Sequence, residues 1–157
     1  MLVEEIMTKS VKTVKKETEM LDVVSLMCLY RISGLPVIDD ENNLLGIIAE
    51  KDVLHNLFPS LEELMESLEI DYEKMMDKYV DVINLKVEDI MTKSAISIRP
   101  DLPCIKAASI MVKHKFRRIP VADDGKLVGM LSLGDVHKAI FQTTLFKGDK
   151  KLSFQVN

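Results

Sequence analysis

The chain repeats itself. Val3-Glu4-Glu5-Ile6-Met7-Thr8-Lys9-Ser10 returns as Val87-Glu88-Asp89-Ile90-Met91-Thr92-Lys93-Ser94, 84 positions later. At the same offset Ser25 matches Ser109, Met27 matches Met111, Pro36-Val37 matches Pro120-Val121, and Asp39-Asp40 matches Asp123-Asp124. One residue is then lost in a turn, and at an offset of 83 Leu44, Gly46, Asp52 and Val53 match Leu127, Gly129, Asp135 and Val136. Positions 3–40 carry 13 identities in 38 and positions 44–53 carry 4 in 10. This is a tandem duplication of a unit of roughly 55 residues, too long a period for a solenoid. A unit that small buries too little surface to be comfortable alone. The duplication therefore predicts two copies packed sheet to sheet around one shared core, with pseudo-twofold symmetry and a cleft along the axis. Clefts at such internal interfaces favour small ligands.

Each copy reads as β-α-β-β-α. In the first, a helical turn over Val3–Met7 leads to a strand around Val11–Val14. A helix follows over Glu17–Ile32, with Leu21, Val24, Met27 and Cys28 on one face. The apolar run Leu35–Ile38, the turn Asp39–Asn43 and the run Leu44–Ala49 predict a hairpin, and a second helix starts near Glu50. In the second copy the pieces are Ala95–Ile98, Asp101–Lys115, Ile119–Ala122, the turn Asp123-Asp124-Gly125-Lys126, Leu127–Ser132 and a helix from Leu133. Asp-Gly is a strong hairpin signal. The organisation is thus a first repeat over 1–55, a linker over 56–86, a second repeat over 87–140 and a tail over 141–157.

The linker carries eight acids and three lysines, a net charge of −5. Leu57, Leu61, Leu64, Leu68, Met75, Tyr79 and Val82 recur at three- and four-residue spacing, the pattern of one long or two short amphipathic helices with an acidic outer face. Such a segment serves either as a bridge packed on its own module or as a docking surface for another chain. In the tail, Lys147-Gly148-Asp149-Lys150 reads as a turn and Leu152–Val156 alternates like an edge strand.

With 21 basic and 25 acidic residues, the chain has a net charge of −4, which excludes a whole-protein basic field for nucleic acid. No stretch approaches the ~18 apolar residues of a membrane span, and the acidic N-terminus lacks the apolar region of a secretory signal. Cys28 and Cys104 have no metal or redox spacing. Both fall in apolar helical patterns and read as buried thiols of a cytoplasmic protein.

The ends of the two repeats carry the chemistry. Gly46-Ile47-Ile48-Ala49-Glu50-Lys51-Asp52 matches Gly129-Met130-Leu131-Ser132-Leu133-Gly134-Asp135. Backbone N–H groups at a helix start hold anions, a Ser hydroxyl adds a hydrogen bond to phosphate, and a carboxylate accepts from two adjacent ribose hydroxyls, as in dinucleotide folds. Ser-x-x-Asp is equally the signature of a capping box. In the run Lys113-His114-Lys115-Phe116-Arg117-Arg118 the basic groups serve either phosphates or the dipole of the preceding helix end. His55, His114 and His137 read as surface or helix-end residues. No nucleophile, base and orienting group assemble in any known order, so no catalytic residue and no metal ligand is assigned.

The ordered set of Met-Thr, helix, Leu/Ile-Pro-Val strand, Asp-Asp turn, Leu-x-Gly and final Gly-x-x-Ser-x-x-Asp resembles the CBS domain (cystathionine-β-synthase-type domain). Two copies resemble a CBS-domain pair over about two thirds of the chain. The resemblance implies a regulatory module that binds an adenosine-containing ligand, such as AMP, ADP, ATP or S-adenosylmethionine, between the repeats. It implies Asp135 as the ribose acceptor and Ser132 as a phosphate or ribose contact. Thr92, Ser94, Ala95 and Ile96 border the adenine, and Arg118, Ile119 and Pro120 close the other side. The second site, with Thr8, Ser10, Val11, Leu35, Pro36 and Asp52, is the poorer match, because Ala49 lacks the hydroxyl and Glu50 adds a negative charge.

The expected function is ligand sensing without catalysis or a required cofactor. Only two residues precede the first repeat, so output is expected to pass through a homodimer built from the helices or through a protein target. Neither nucleic acid nor membrane is an expected partner. The competing reading is a ligand-free scaffold for protein interaction or dimerisation.

Overall fold

The computed structural model describes residues 1–58, 65–66 and 69–147. It shows a mixed α/β protein with two small antiparallel sheets. The compact units are not cut where the repeats are. One unit takes Lys12–Ala95, and the other takes Met1–Val11 together with the chain from Ile96 on. The opening segment of each repeat is therefore built into the unit of the other.

In the Lys12–Ala95 unit, α2 (Met20–Tyr30) is followed by the hairpin β1 (Gly34–Ile38) and β2 (Leu44–Ala49), then α3 (Glu50–His55); α1 (Val3–Ile6) belongs to the other unit. The linker contributes α4 (Tyr72–Ile83), and the second repeat contributes its opening turn α5 (Val87–Ile90) and the short β3 (Thr92–Lys93). The sheet order is β1-β2-β3, with Gly46 opposite Lys93 and Ile47 opposite Thr92. On the far edge Val14 forms a single parallel bridge to Val37.

The other unit repeats this plan with the roles exchanged. Its elements are α1, α6 (Cys104–Lys113), the hairpin β4 (Arg118–Asp123) and β5 (Lys126–Ser132), and α7 (Leu133–Lys147). Ile98 bridges Val121 in parallel, and Thr8 bridges Met130 antiparallel. The Thr8 and Met130 backbones exchange two hydrogen bonds, both 2.9 Å. The predicted strands at Val11–Val14 and Ala95–Ile98 thus shrink to one bridging residue each.

The exchange explains two matched glycines. A Cβ on Gly46 would run into the Thr92 carbonyl oxygen and the Met91 side chain, and one on Gly129 would lie 2.7 Å from Met7 Sδ and 2.9 Å from the Thr8 carbonyl oxygen. Only a residue without a side chain lets the borrowed strand approach at these points.

Among the described residues, each unit holds a cluster of buried side chains. One cluster gathers Met20, Val23, Met27, Leu35, Val37 and Ile48 with Val87 from the borrowed turn. The other gathers Ala107, Met111, Ile119, Val121 and Leu131 with Val3. Val3 and Val87 are fully buried, so each opening turn anchors in the core that it joins. Backbone hydrogen bonds fasten it: Val3 N–H to the Leu102 oxygen in one unit, Val87 N–H to the Thr18 oxygen in the other, both 2.9 Å.

The buried stripe of α2 runs through Met20, Val23 and Met27, one residue away from the predicted Leu21-Val24-Met27-Cys28 face. Leu21 is exposed in consequence, and Cys28 is exposed where a buried thiol was expected, whereas Cys104 is buried. Both α2 and α6 end in the same way. The Ile32 N–H reaches the Met27 oxygen and the Phe116 N–H reaches the Met111 oxygen, with Arg31 (φ 53°) and Lys115 (φ 58°) in the left-handed conformation usually given to glycine. In the linker, Asp71 caps α4 by accepting from the Lys74 N–H. Of the predicted turn Lys147-Gly148-Asp149-Lys150, Lys147 is the last residue of α7; Leu61, Glu62, Glu63, Leu64 and Leu68, the rest of that turn and the predicted Leu152–Val156 strand lie outside the described residues.

Candidate functional site

The two repeat ends form the same local device with different chemistry. At the second, β5 ends on Ser132 and α7 begins at Leu133. The Ser132 N–H donates to Asp135 Oδ2 at 2.8 Å, and the Ser132 hydroxyl donates to the same oxygen at 2.7 Å. In return the Asp135 N–H donates to Ser132 Oγ at 3.0 Å. The capping box allowed by the Ser-x-x-Asp spacing is therefore formed. It also fixes the carboxylate: Asp135 is half-buried, and Oδ1 takes part in none of these bonds. Capping and ligand contact are compatible, because the cap holds one oxygen and leaves the second outside the box.

At the first repeat end the Ala49 N–H donates to Asp52 Oδ2 at 2.8 Å, with no hydroxyl beside it. Burial pushes the Asp52 carboxyl above its usual range; the Ala49 N–H and the positive groups of Lys51 and His55 oppose that shift. Glu50, which adds a negative charge at this repeat end, is exposed. Asp52 lines a hollow of about 220 Å³ together with Lys51, His55, Asn56 and Ile90. Of these only Asp52 belongs to the residue set derived from the sequence. Lys51, Asp52, His55 and Asn56 fall within two turns of one another, a helical juxtaposition legible in the sequence. Ile90 joins them only because the second repeat's opening turn crosses into this unit.

The remaining residues of the expected sites divide between the units. Ile96, Arg118, Ile119, Pro120, Ser132 and Asp135 lie in one; Thr92, Ser94 and Ala95 lie in the other. Thr92, Ser94, Ile96 and Arg118 are exposed and Ala95 is half-buried. Ser94 has φ 51°, a left-handed conformation that its counterpart Ser10 does not share. Ile119 and Pro120 are buried, and the Ile119 side chain belongs to the core cluster, so it offers no apolar wall to a ligand. For the second set, Thr8 and Ser10 are exposed and Val11 is half-buried, while Leu35 and Pro36 are buried like their counterparts. The strand that precedes each hairpin turn is lined on one face by its own core, which the Leu/Ile-Pro-Val pattern alone does not reveal.

The basic run begins where α6 ends. Lys113, His114, Lys115, Arg117 and Arg118 are all exposed, and the His114 and Phe116 rings stack at 5.4 Å. Cations here complement the helix dipole, and their exposure leaves them available to an anion. Among the described residues, no group of three or more His, Cys, Asp or Glu could hold a metal ion, and no helix is long and apolar enough to cross a membrane.

Comparison with known proteins gives a consistent picture. The CBS domain family model matches residues 3–59 and 87–142. The chain is 34% identical over 154 residues to the protein MJ1426 of Methanocaldococcus jannaschii, covering 89% of this chain and 91% of that one. It is 32% identical over 147 residues to the chloroplastic CBS domain-containing protein CBSX2 of Arabidopsis thaliana, spanning 85% of this chain and 60% of that protein. The crystal structure of CBSX2 in complex with AMP superposes with a TM-score of 0.72, covering 91% of this chain and 98% of that one at 32% identity.

Proposed function

The chain belongs to the CBS domain family, and from that premise we propose that it is a regulatory module. It binds an adenosine-containing nucleotide and passes the event to a second copy or a protein target, without catalysis. One observation carries the reading: the similarity to CBSX2, a protein crystallised with AMP. Local chemistry supports it. Asp135, oriented by Ser132, has an oxygen outside the cap to accept from ribose hydroxyls. The long α7 contributes a positive dipole end near phosphate, its Leu133 and Asp135 N–H groups being bonded to the Arg117 oxygen and to Ser132 Oγ, and the exposed Arg118 supplies a fork for bidentate contact. Thr92, Ser94, Ala95 and Ile96 border the base in this reading, and the roles of Ile119 and Pro120 are confined to their backbone. The site around Asp52 is secondary, because Ala49 brings no hydroxyl.

The ligand can bias an output only by binding one state of the module better than another. At a 100-fold excess over its dissociation constant it adds ~2.7 kcal/mol of stability, which raises the melting midpoint by roughly 5–10 °C in a chain of this size. Thermal melts with millimolar AMP, ADP, ATP and S-adenosylmethionine test this. The ligand-induced shift should vanish in Asp135→Ala and persist in Asp52→Ala. The reverse ranking overturns the site assignment.

We also propose that the chain forms a homodimer through its helices. Leu21, Cys28 and Phe58 are exposed in one unit, and their repeat partners Ile105, Val112 and Phe141 are exposed in the other. An exposed apolar patch on a helix of either unit meets the same patch of a second copy in an isologous contact. Light scattering should report a dimer that Ile105→Lys/Val112→Lys converts to monomer. This surface favours a second reading, a ligand-free scaffold, which a flat response to all four nucleotides would support. The unpaired, exposed Cys28 suits a reducing compartment such as the cytoplasm.

A further inference from the structure

Helix α4 carries more apolar surface than the described residues of its unit cover. Its inner side rests on the core through the buried Val82 and through Tyr79, which packs against the same cluster. Tyr72, Met76 and Val80 are spaced four residues apart and so form a continuous stripe. They are 72%, 64% and 52% exposed. Glu73, Asp77 and Asp81 each follow one of them in sequence, about 100° further round, and form a parallel acidic stripe that is also exposed. An apolar ridge is thus edged by three carboxylates on its solvent side.

We infer that this double stripe docks a cationic amphipathic segment of another protein, with apolar side chains against Tyr72, Met76 and Val80 and Lys or Arg against Glu73, Asp77 and Asp81. The charge decides the occupant. An antiparallel pairing of two copies brings the acidic stripes edge to edge, where like charges repel; a parallel pairing sets them on opposite edges, with no cation of the partner's α4 facing either; and an anionic lipid surface is repelled by the acidic stripe. A basic segment satisfies both stripes at once, the apolar one by burial and the acidic one by steering and rim pairing. The inference does not rest on nucleotide binding.

The test is fluorescence anisotropy of a labelled 18-residue Leu/Lys amphipathic helical peptide titrated with the full chain, with a Leu/Glu peptide of the same pattern as control. The Lys peptide should bind and the Glu peptide should not. Met76→Lys should weaken binding at least roughly tenfold, the size of effect expected at a buried anchor. Asp77→Asn/Asp81→Asn should weaken it several-fold and flatten its salt dependence, whereas Glu4→Gln/Glu88→Gln, an equal charge change elsewhere, should leave it unchanged. An equal loss in the two double variants would reduce the effect to bulk charge and overturn the inference. So would undiminished binding by Met76→Lys, or conversion of a dimer to monomer by that substitution. A lowered melting temperature in Met76→Lys with no peptide binding by the unsubstituted chain would show that the chain covers the stripe itself, which also overturns it.

Discussion

Replacing Gly46 by Ala probes the crossing that builds both units. A Cβ there meets the Thr92 carbonyl oxygen, a backbone atom held by pairing of Thr92 with Ile47, and the end of the Met91 side chain. Backbone cannot swing away as a side chain can, so the overlap falls at the costly end of the ~1–3 kcal/mol range for overpacking. Loss of glycine's freedom in the unfolded chain returns ~0.4–1 kcal/mol. The net expectation for Gly46→Ala is about 2 kcal/mol of destabilisation. At ~2–4 °C per kcal/mol this is a fall of roughly 4–8 °C in melting midpoint. At Gly129 the nearest atom is Met7 Sδ, in an unbranched side chain, at 2.7 Å, with the Thr8 carbonyl oxygen next at 2.9 Å. The side chain can yield but the Thr8 carbonyl, paired with Met130, gives only slightly, so Gly129→Ala should cost about 1–2 kcal/mol on the same scale, and Met7→Ala in that background should recover part of it. Gly34 is the control: its nearest neighbours stand 3.5 Å and more away, in ordinary contact. Gly34→Ala should be neutral or slightly stabilising. Urea unfolding curves with matched slopes give the three values. If Gly46→Ala proves as harmless as Gly34→Ala, the borrowed strand does not lie against β2 and the account of the exchange fails.

Three further outcomes follow from the repeat ends and the thiols. Ser132→Ala should destabilise the chain by about 1 kcal/mol through loss of the reciprocal cap, and Ala49→Ser should gain part of that amount by installing it; chemical denaturation checks both. Asp52 is held above its usual pKa, so the folded state binds a proton more readily than the unfolded one. Its contribution to stability is therefore fully present below the unfolded value of 3.8 and declines as pH rises through the folded value. Asp52→Asn, which keeps an acceptor for the Ala49 N–H, should remove that decline, and melts across acidic to neutral pH will show it or refute it. Finally, a thiol reagent should titrate one cysteine, Cys28, in the native monomer and Cys104 only after unfolding; native labelling of Cys104 would contradict its burial.

What was legible in the sequence was whatever local pattern and duplication determine. The hairpin limits Leu44–Ala49 and the helix starts at Glu50 and Leu133 coincide with expectation, because alternating apolar runs and Asp-rich turns act over a few residues. The capping spacing of Ser132 and Asp135 is local as well, and it forms as the spacing allows. The α2 stripe misled by one residue because apolar side chains stand on two adjacent faces of that helix, and only packing selects between them. Tertiary structure alone decided that Val3 and Val87 bury themselves in the other repeat's core. Each repeat presents a similar docking place for a similar opening turn, so a sequence reading does not distinguish a turn packed on its own copy from one exchanged with its twin. The same choice determined why Gly46 and Gly129 recur and why Ile90 lies beside Asp52. The physical reason is that duplication makes the two pairings similar in local residue chemistry, and chain geometry in three dimensions selects between them.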